Sequence, residues 1–370
     1  MSFSLPILKL TGVADMRRCL AASGVGFKVF HAKAEKEVAN APAFAKKAFH
    51  MSSSSPFRIG VAGVGAIGKN HARLMADIAA RSGGAVQFTA VYDADPARAA
   101  EFAAQYGTHA ASDIADFAER VDAASVAVPT VYHRKVAEPL MERGIHVMVE
   151  KPISESYAEA QTLIELAKAK SVILQVGHIE RFNPVLLQLE QRMDNPRFIE
   201  AHRLSPFPNR SIDIGVVLDL MIHDIEIVLH LVKSPLVQVD AVGIPVLTRR
   251  EDIANARLKF ANGCIANITA SRISPEKLRK IRVFQSDSYL SLDYQEQSGW
   301  IYRKDGMQIV REEVEVEKDE PLKLELASFV ECARQGRRPV VTGQEGAEAV
   351  RIALEITDQI EQNAKLGAAQ

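Results

Sequence analysis

One stretch decides most of what this chain can become. Residues 57–68 read FRIGVAGVGAIG, a β-branched apolar run that breaks into three glycines. KNHARLMADIAARSG follows, with helical spacing and a glycine stop. Strand, G-x-G-x-x-G and helix in that order form the fingerprint of a dinucleotide-binding βα turn. Gly63 would make the tight turn, Gly65 would let backbone approach a pyrophosphate, and Gly68 would let helix pack on strand. Ala66 and Ile67 fill the loop between them, where backbone amides at the positive helix end would face the phosphates. Glycines also serve ordinary tight turns, so the weight lies in the flanking strand and helix.

The segments around the motif repeat its alternation. VQFTAVYD is a second strand, DPARAAEFAAQYG a helix, DAASVAVPT a strand and YHRKVAEPLMERG a helix. IHVMVEKP, SYAEAQTLIELAKAKS and VILQVGH continue as strand, helix and strand to residue 178. Alternating strands and helices imply a parallel sheet covered on both faces. Beyond residue 178 the pattern changes. After FIEAHRLSP and an apolar helix come strands at short spacing, VQVDAVGIPV to EEVEVEK, broken by ANG and KDG. Consecutive strands without crossover helices imply antiparallel pairing. Two helices close the chain. The expectation is an α/β protein with a Rossmann domain over 56–178. A C-terminal α+β domain over 179–370 would carry a large, open-faced, mostly antiparallel sheet, with the last helices free to pack back on the first domain.

Totals exclude several function classes. The 370 residues exceed one core of ordinary size, and 45 basic against 46 acidic side chains leave a net charge of −1. No large field is present to attract nucleic acid or an anionic membrane. No apolar run is long enough to span a bilayer. Three cysteines, Cys19, Cys264 and Cys332, are far apart and odd in number, as in reduced cytoplasmic proteins. Residues 1–55 hold eight Lys or Arg against three Asp or Glu without a clear period. They are expected to be a poorly ordered extension, and Met51 before SSSSP would make a natural beginning.

Chemistry-bearing residues gather at strand ends. Asp93 ends the second strand, 25 residues after Gly68, where a carboxylate would accept both ribose hydroxyls and repel a 2′-phosphate. NAD is therefore expected over NADP, with Arg98 nearby as the opposing signal. Pro129 and Thr130 close another strand, with His133 just beyond, and would line the nicotinamide side. Glu150 and Lys151 end the next strand on the same carboxyl edge. A lysine there can hold a substrate hydroxyl and stabilise a developing alkoxide, or it can be one half of a surface ion pair.

The helix VLDLMIHDIEIVLHL, residues 217–231, is oily almost all round yet carries Asp219, His223, Asp224, Glu226 and His230. Asp219 and His223 are four apart and share a face, which Glu226 and His230 continue at i+7 and i+11. The stripe can face solvent, can satisfy a core histidine, or can present a carboxylate that orients an imidazole acting as general base. A metal site at His223, Asp224 and His230 is weighed and set aside, because the spacing is not a familiar ligand pattern.

Taken together, GVAGVGAIGKNHARLM, VEKP and LDLMIHD resemble the Gfo/Idh/MocA oxidoreductases, and the likeness runs in order from about residue 57 to the end. The resemblance implies a Rossmann domain followed by an open-faced sheet domain. It also implies a catalytic trio of Lys151, Asp219 and His223, with Lys151 on the substrate hydroxyl and His223 as acid or base. GHIERFNPV together with the oily helix resembles the branch of the family that oxidises UDP-N-acetylglucosamine at its 3-hydroxyl. Arg181, Asn183 and Arg210 are then candidate contacts to a sugar or a diphosphate, since arginine offers a bidentate fork to phosphate. The alternatives are a free polyol or inositol substrate, or a non-catalytic NAD-binding regulator. A homo-dimer or homo-tetramer through the open sheet face is expected, because an uncovered sheet usually acquires a partner.

Overall fold

The computed structural model describes residues 55–207 and 214–368. The expected extension over 1–54 and the candidate Arg210 lie outside the described residues.

The first six strands are β1 Phe57–Ala62, β2 Val86–Tyr92, β3 His109–Ala110, β4 Ala123–Val126, β5 His146–Glu150 and β6 Leu174–Gly177. They form one sheet in the order β3-β2-β1-β4-β5-β6, with every pair parallel. The apolar runs of the sequence have this cause: a parallel strand is buried on both faces. Ile59, Val61, Val91, Ala123 and Met148 point into one core, and Ala62, Ala124, Val126, Val147 and Val149 into another.

Helices α1 Gly68–Arg81, α2 Pro96–Tyr106, α3 Ile114–Ala118, α4 His133–Glu142 and α5 Tyr157–Lys170 are the crossovers. Local chemistry sets their ends. Asp95, Asp113 and Ser156 cap the starts of α2, α3 and α5 with side-chain oxygens, and Gly107 closes α2 in the left-handed region. Strand β3 is only two residues long and carries no readable apolar run.

The second sheet follows α6 Pro184–Glu190 and β7 Phe198–Leu204. Its other members are β8 Leu236–Ile244, β9 Ile253–Phe260, β10 Ile265–Ser271, β11 Leu278–Phe284, β12 Ser288–Asp293, β13 Ser298–Asp305 and β14 Gln308–Glu313. Their order is β14-β13-β12-β11-β7-β10-β9-β8. All neighbours are antiparallel except β7 and β10, which run parallel at the middle. Period-two burial is plain in β9, where Ala254, Ala256, Leu258 and Phe260 are buried while Asn255, Arg257 and Lys259 are exposed. Helix α7, Ile222–Val232, lies on the buried face, and Ile225 and Val228 join its core.

The closing helices are α8 Pro321–Gln335 and α9 Gly343–Ala368. Leu326, Phe329 and Val330 of α8 complete the first Rossmann core with Leu74 and Met75 of α1. Val350 and Ile352 of α9 join the second core, and Gln359 and Asn363 donate to the carbonyls of Val239 and Ala241 on β8. From Ser55 onward the chain is therefore one compact unit.

Candidate active site

The glycine loop has the geometry that its residue types suggest. Gly63 sits at φ +88, and a Cβ there would strike the Ala127 carbonyl oxygen at 2.8 Å. A Cβ on Gly68 would fall 1.7 Å from the Gly63 oxygen. A Cβ on Gly65 would meet nothing within 4 Å, so its bare backbone faces open space. Ala66 and Ile67 are exposed, and no side chain caps the first turn of α1. The Lys69 and Asn70 amides are taken by the Gly65 and Ile67 carbonyls, so the loop amides ahead of them are the ones that would meet an anion.

Asp93 stands beside the loop and is already engaged. It accepts from the amides of Val64 and Asp95, each at 2.9 Å, and from Arg98 at 3.2 Å. A carboxylate has about four acceptor positions, so room remains for one ribose hydroxyl, not the two expected. Arg98 also contacts Asp95 at 3.4 Å. Two carboxylates balance its charge, which leaves it poorly placed to take a 2′-phosphate.

At the carboxyl ends of β5 and β6 the chemistry converges. His71, fully buried in the first turn of α1, contacts Ser125 Oγ at 2.7 Å through Nδ1 and Glu150 Oε1 at 3.3 Å through Nε2. Burial pushes the Glu150 carboxyl up, but His71 and Lys151 outweigh it and hold it below the ordinary range. Lys151 Nζ donates to the Asp219 carbonyl oxygen at 2.7 Å and lies 3.4 Å from Asp219 Oδ1. Strand end and oily helix, 68 residues apart in sequence, therefore meet.

The helix does not begin as a regular α-helix. Val217–Met221 is a π-helical turn, in which the Ile222 amide reaches back to the Val217 carbonyl. Such turns are rare and concentrate at functional sites. Its approach is anchored from the second sheet. Val216 donates to the Glu251 carbonyl at 3.0 Å, and the buried Arg272 donates to Ile214 O and Asp252 Oδ1, both at 2.8 Å.

The polar stripe then divides. Asp219 turns to Lys151 and makes no hydrogen bond to His223, which corrects the expectation that this carboxylate orients the imidazole. His223 is half-buried with Nδ1 closed off and unpartnered. Burial first, then the charges of Lys151 and Arg203, push its pKa well below the ordinary value, so the ring is neutral near pH 7. Asp224 takes Arg203 in a fork at 2.7 and 3.1 Å, and Arg203 also reaches Glu180 at 2.8 Å. Glu226 takes Arg181 at 2.6 Å, and His230 takes Glu190 at 2.8 Å. Asp224 and His230 thus have partners of their own, and the metal reading has no geometry behind it.

Three sequence candidates are corrected by this lattice. Arg181 is buried against Glu226. Asn183 is buried as well: its side chain caps α6 through Val185 and donates to Tyr294 O at 3.0 Å. Asn183 has no group left over for a substrate, and Arg181, whose Nε alone lacks a partner, is closed off from solvent. His133 is buried with Nδ1 and Nε2 each 2.9 Å from a carbonyl, those of Pro152 and Val128. It ties the β4 and β5 loops together, with both ring nitrogens engaged by protein. Pro129 is exposed and Thr130 half-buried at that edge. The sequence reading missed His71, His178, Arg203 and Arg279. His178 follows β6 as Lys151 follows β5, so the strand-end rule that found one would have found the other.

Comparison with known proteins agrees with this geometry. The description "Oxidoreductase family, NAD-binding Rossmann fold" matches residues 57–178, and the Gfo/Idh/MocA C-terminal domain matches residues 186–291. The chain belongs to the Gfo/Idh/MocA oxidoreductase family and has its NAD-binding fold. Among its relatives is the UDP-N-acetylglucosamine 3-dehydrogenase of Acidithiobacillus ferrooxidans, 36% identical over 311 residues, which are 82% of this chain and 97% of that protein. A solved structure of that enzyme is 35% identical with a TM-score of 0.78, covering 83% and 98% of the two chains. The myo-inositol 2-dehydrogenase of Thermotoga maritima is 27% identical over 329 residues, 82% of this chain and 96% of that protein. A levoglucosan dehydrogenase solved with NADH and levoglucosan is 16% identical at TM-score 0.76, covering 83% and 98%, a likeness of fold.

Proposed function

We propose that this oxidoreductase oxidises a secondary hydroxyl of a sugar nucleotide to a ketone, with the 3-hydroxyl of UDP-N-acetylglucosamine as the foremost substrate. The observation that carries the chemistry is the meeting of Lys151 with Asp219 beside a half-buried, neutral His223. The relative that matches 82% of this chain along 97% of its own length, named for UDP-N-acetylglucosamine, supports the substrate. Gly63, Gly65, Ala66, Ile67 and Gly68 would hold the pyrophosphate, and Asp93 a ribose hydroxyl. Bound NAD supplies the hydride acceptor.

Lys151, fixed by the Asp219 carbonyl, donates to the substrate hydroxyl oxygen and favours its alkoxide character. His223 takes the hydroxyl proton through Nε2, the ring nitrogen not closed off by protein. With Arg181 committed to Glu226, Arg279 is the better charge for a diphosphate. Its side chain is 40% exposed, it neighbours Arg203 across the β7–β11 pair, and it lies near enough to His223 to depress that ring's pKa.

We further propose that a second copy covers the open face of the second sheet. The buried thiols of Cys264 and Cys332, both free, favour a cytoplasmic setting.

The test follows nicotinamide absorbance with UDP-N-acetylglucosamine and with a panel of free sugars and inositols. Turnover on the nucleotide sugar is expected, and His223→Ala should lower it about 100-fold or more with NAD binding intact. Turnover confined to inositols would favour the polyol reading that the inositol 2-dehydrogenase relatives raise.

A further inference from the structure

His178 has no role in the chemistry assigned so far, yet the structure invests in its placement. It follows β6 directly, is 1% exposed, and both ring nitrogens are closed to solvent without a hydrogen-bond partner. Burying two polar atoms unpaired is costly, and a fold that retains them calls for an explanation. Gly177 keeps the ring close to the strand that bears Lys151, since a Cβ there would strike Glu150 Oε1 at 2.8 Å. The His178 imidazole meets the His223 ring edge-on, with centroids 6.1 Å apart at 84°. It is the one aromatic ring recorded against His223 among the described residues.

A histidine that accepts a proton at one nitrogen acquires an N–H of greater acidity at the other. Enzymes usually give that N–H an acceptor, which fixes the tautomer and steadies the imidazolium. Sequence spacing offers Asp219 for the role, but Asp219 is spent on Lys151. Nδ1 of His223 is buried and unpartnered, and His178 is the neighbour with a ring lone pair to give.

We propose that His178 is the positioning partner of His223, accepting the Nδ1–H of that ring as its Nε2 takes the substrate proton. No second transfer is required: the proton from the hydroxyl rests on Nε2, and His178 contributes a lone pair to Nδ1–H. The 6.1 Å separation is longer than a hydrogen-bonded pair. Catalytic hydrogen bonds are often long until substrate binds and tightens them. The charged groups around the pair favour a neutral acceptor. Lys151 and Arg181 act on His178 against Glu150, and Lys151, Arg203 and Arg279 act on His223. An anionic partner is absent from that set on the His223 side, and Asp219, four residues before it, faces Lys151.

The inference rests on His223 as the proton acceptor, so the experiment includes His223→Asn. Full-length His178→Phe, His178→Gln and His178→Asn are compared for kcat, KM for UDP-N-acetylglucosamine, NAD binding and the pH profile of kcat. His178→Phe is expected to lose kcat about 10- to 100-fold with KM and NAD affinity little changed. Its acid limb should move to lower pH, because the His223 cation has lost an acceptor. One of the two amides places an oxygen where the ring lone pair was and should recover much of kcat; the other should not. Parental kcat and pH profile in a folded His178→Phe would overturn the partnership. If that variant does not fold, the amide pair decides: unequal kcat supports the proposal, and indistinguishable kcat overturns it. Parental turnover in His223→Asn would overturn the proton-acceptor reading itself, which separates that failure from this one.

Discussion

Glu226 shows how a residue that looks functional in sequence can be architectural. It is 2% exposed, and burial lifts its carboxyl to about 7 even with the Arg181 guanidinium 2.6 Å away. Breaking a buried pair by removing one partner costs about 3–5 kcal/mol when the remaining charge stays ionised. Arg181→Met is therefore predicted to lower the melting temperature while the folded enzyme keeps its KM for the sugar nucleotide. A substrate-binding arginine would give the opposite result. The pH dependence has a definite sign. A carboxyl raised in the folded state contributes stability that is full below its unfolded pKa and is lost as pH rises through the folded value. Without Arg181 the folded value climbs further. The deficit of Arg181→Met against the parent should then be larger at about pH 8 than at about pH 5.5. Equal deficits at both pH values, with a raised KM, would return Arg181 to the substrate site. GHIERFNPV thus combines both kinds of residue: Arg181 through Glu226, and Glu180 through Arg203, brace the helix that carries His223, Asn183 caps α6, and His178 faces the His223 ring.

The glycine turn was legible in sequence because each of its constraints is local. Its three glycines fall into separate physical situations, and substitution should separate them. Gly65→Ala adds a methyl to open space, so the fold should melt as the parent does while NAD affinity falls about tenfold or more, since the backbone can no longer approach the pyrophosphate. Gly68→Ala drives its methyl into the Gly63 oxygen and should cost about 1–3 kcal/mol, seen as a lower melting temperature without NAD. Calorimetry with and without NAD distinguishes the two; a destabilised Gly65→Ala with normal affinity would contradict the assignment. Other elements were legible only in part. Periodicity identified the strands of the second sheet but not the parallel β7–β10 pair at its middle, because pairing between distant strands leaves no trace in either one. The π turn at Val217–Met221 was equally silent, since Asp219 and His223 keep the i,i+4 spacing of an α-helix while their side chains find different neighbours. Lys151 and Asp219 were both identified, yet their contact through a backbone carbonyl depends on that turn.

On the scale of the whole molecule, composition and the change of pattern near residue 178 separate a two-faced parallel sheet from one with a covered and an open face. The open face is not uniformly polar. Phe198, Phe284, Tyr289 and Tyr302 form a ladder across β7, β11, β12 and β13, with neighbouring centroids 5.6, 5.1 and 4.3 Å apart. Arg311 lies 4.6 Å over Trp300 on the adjoining strand pair. Cross-strand aromatic pairs stabilise a sheet, but five half-exposed rings in one region exceed what pairing alone requires. A face of this kind can supply the roughly 800 Å² per partner of a standard interface, and aromatic anchors with arginine are the groups that such interfaces favour. With a second copy on this face, as proposed, Tyr302→Glu should lower the particle mass in light scattering. The Rossmann sheet, its NAD affinity and the fold should survive, because one lost stacking contact costs only about 0.5–1.5 kcal/mol. A parent chain that is already monomeric, or a variant of unchanged mass, would leave the aromatic ladder as sheet reinforcement and nothing more.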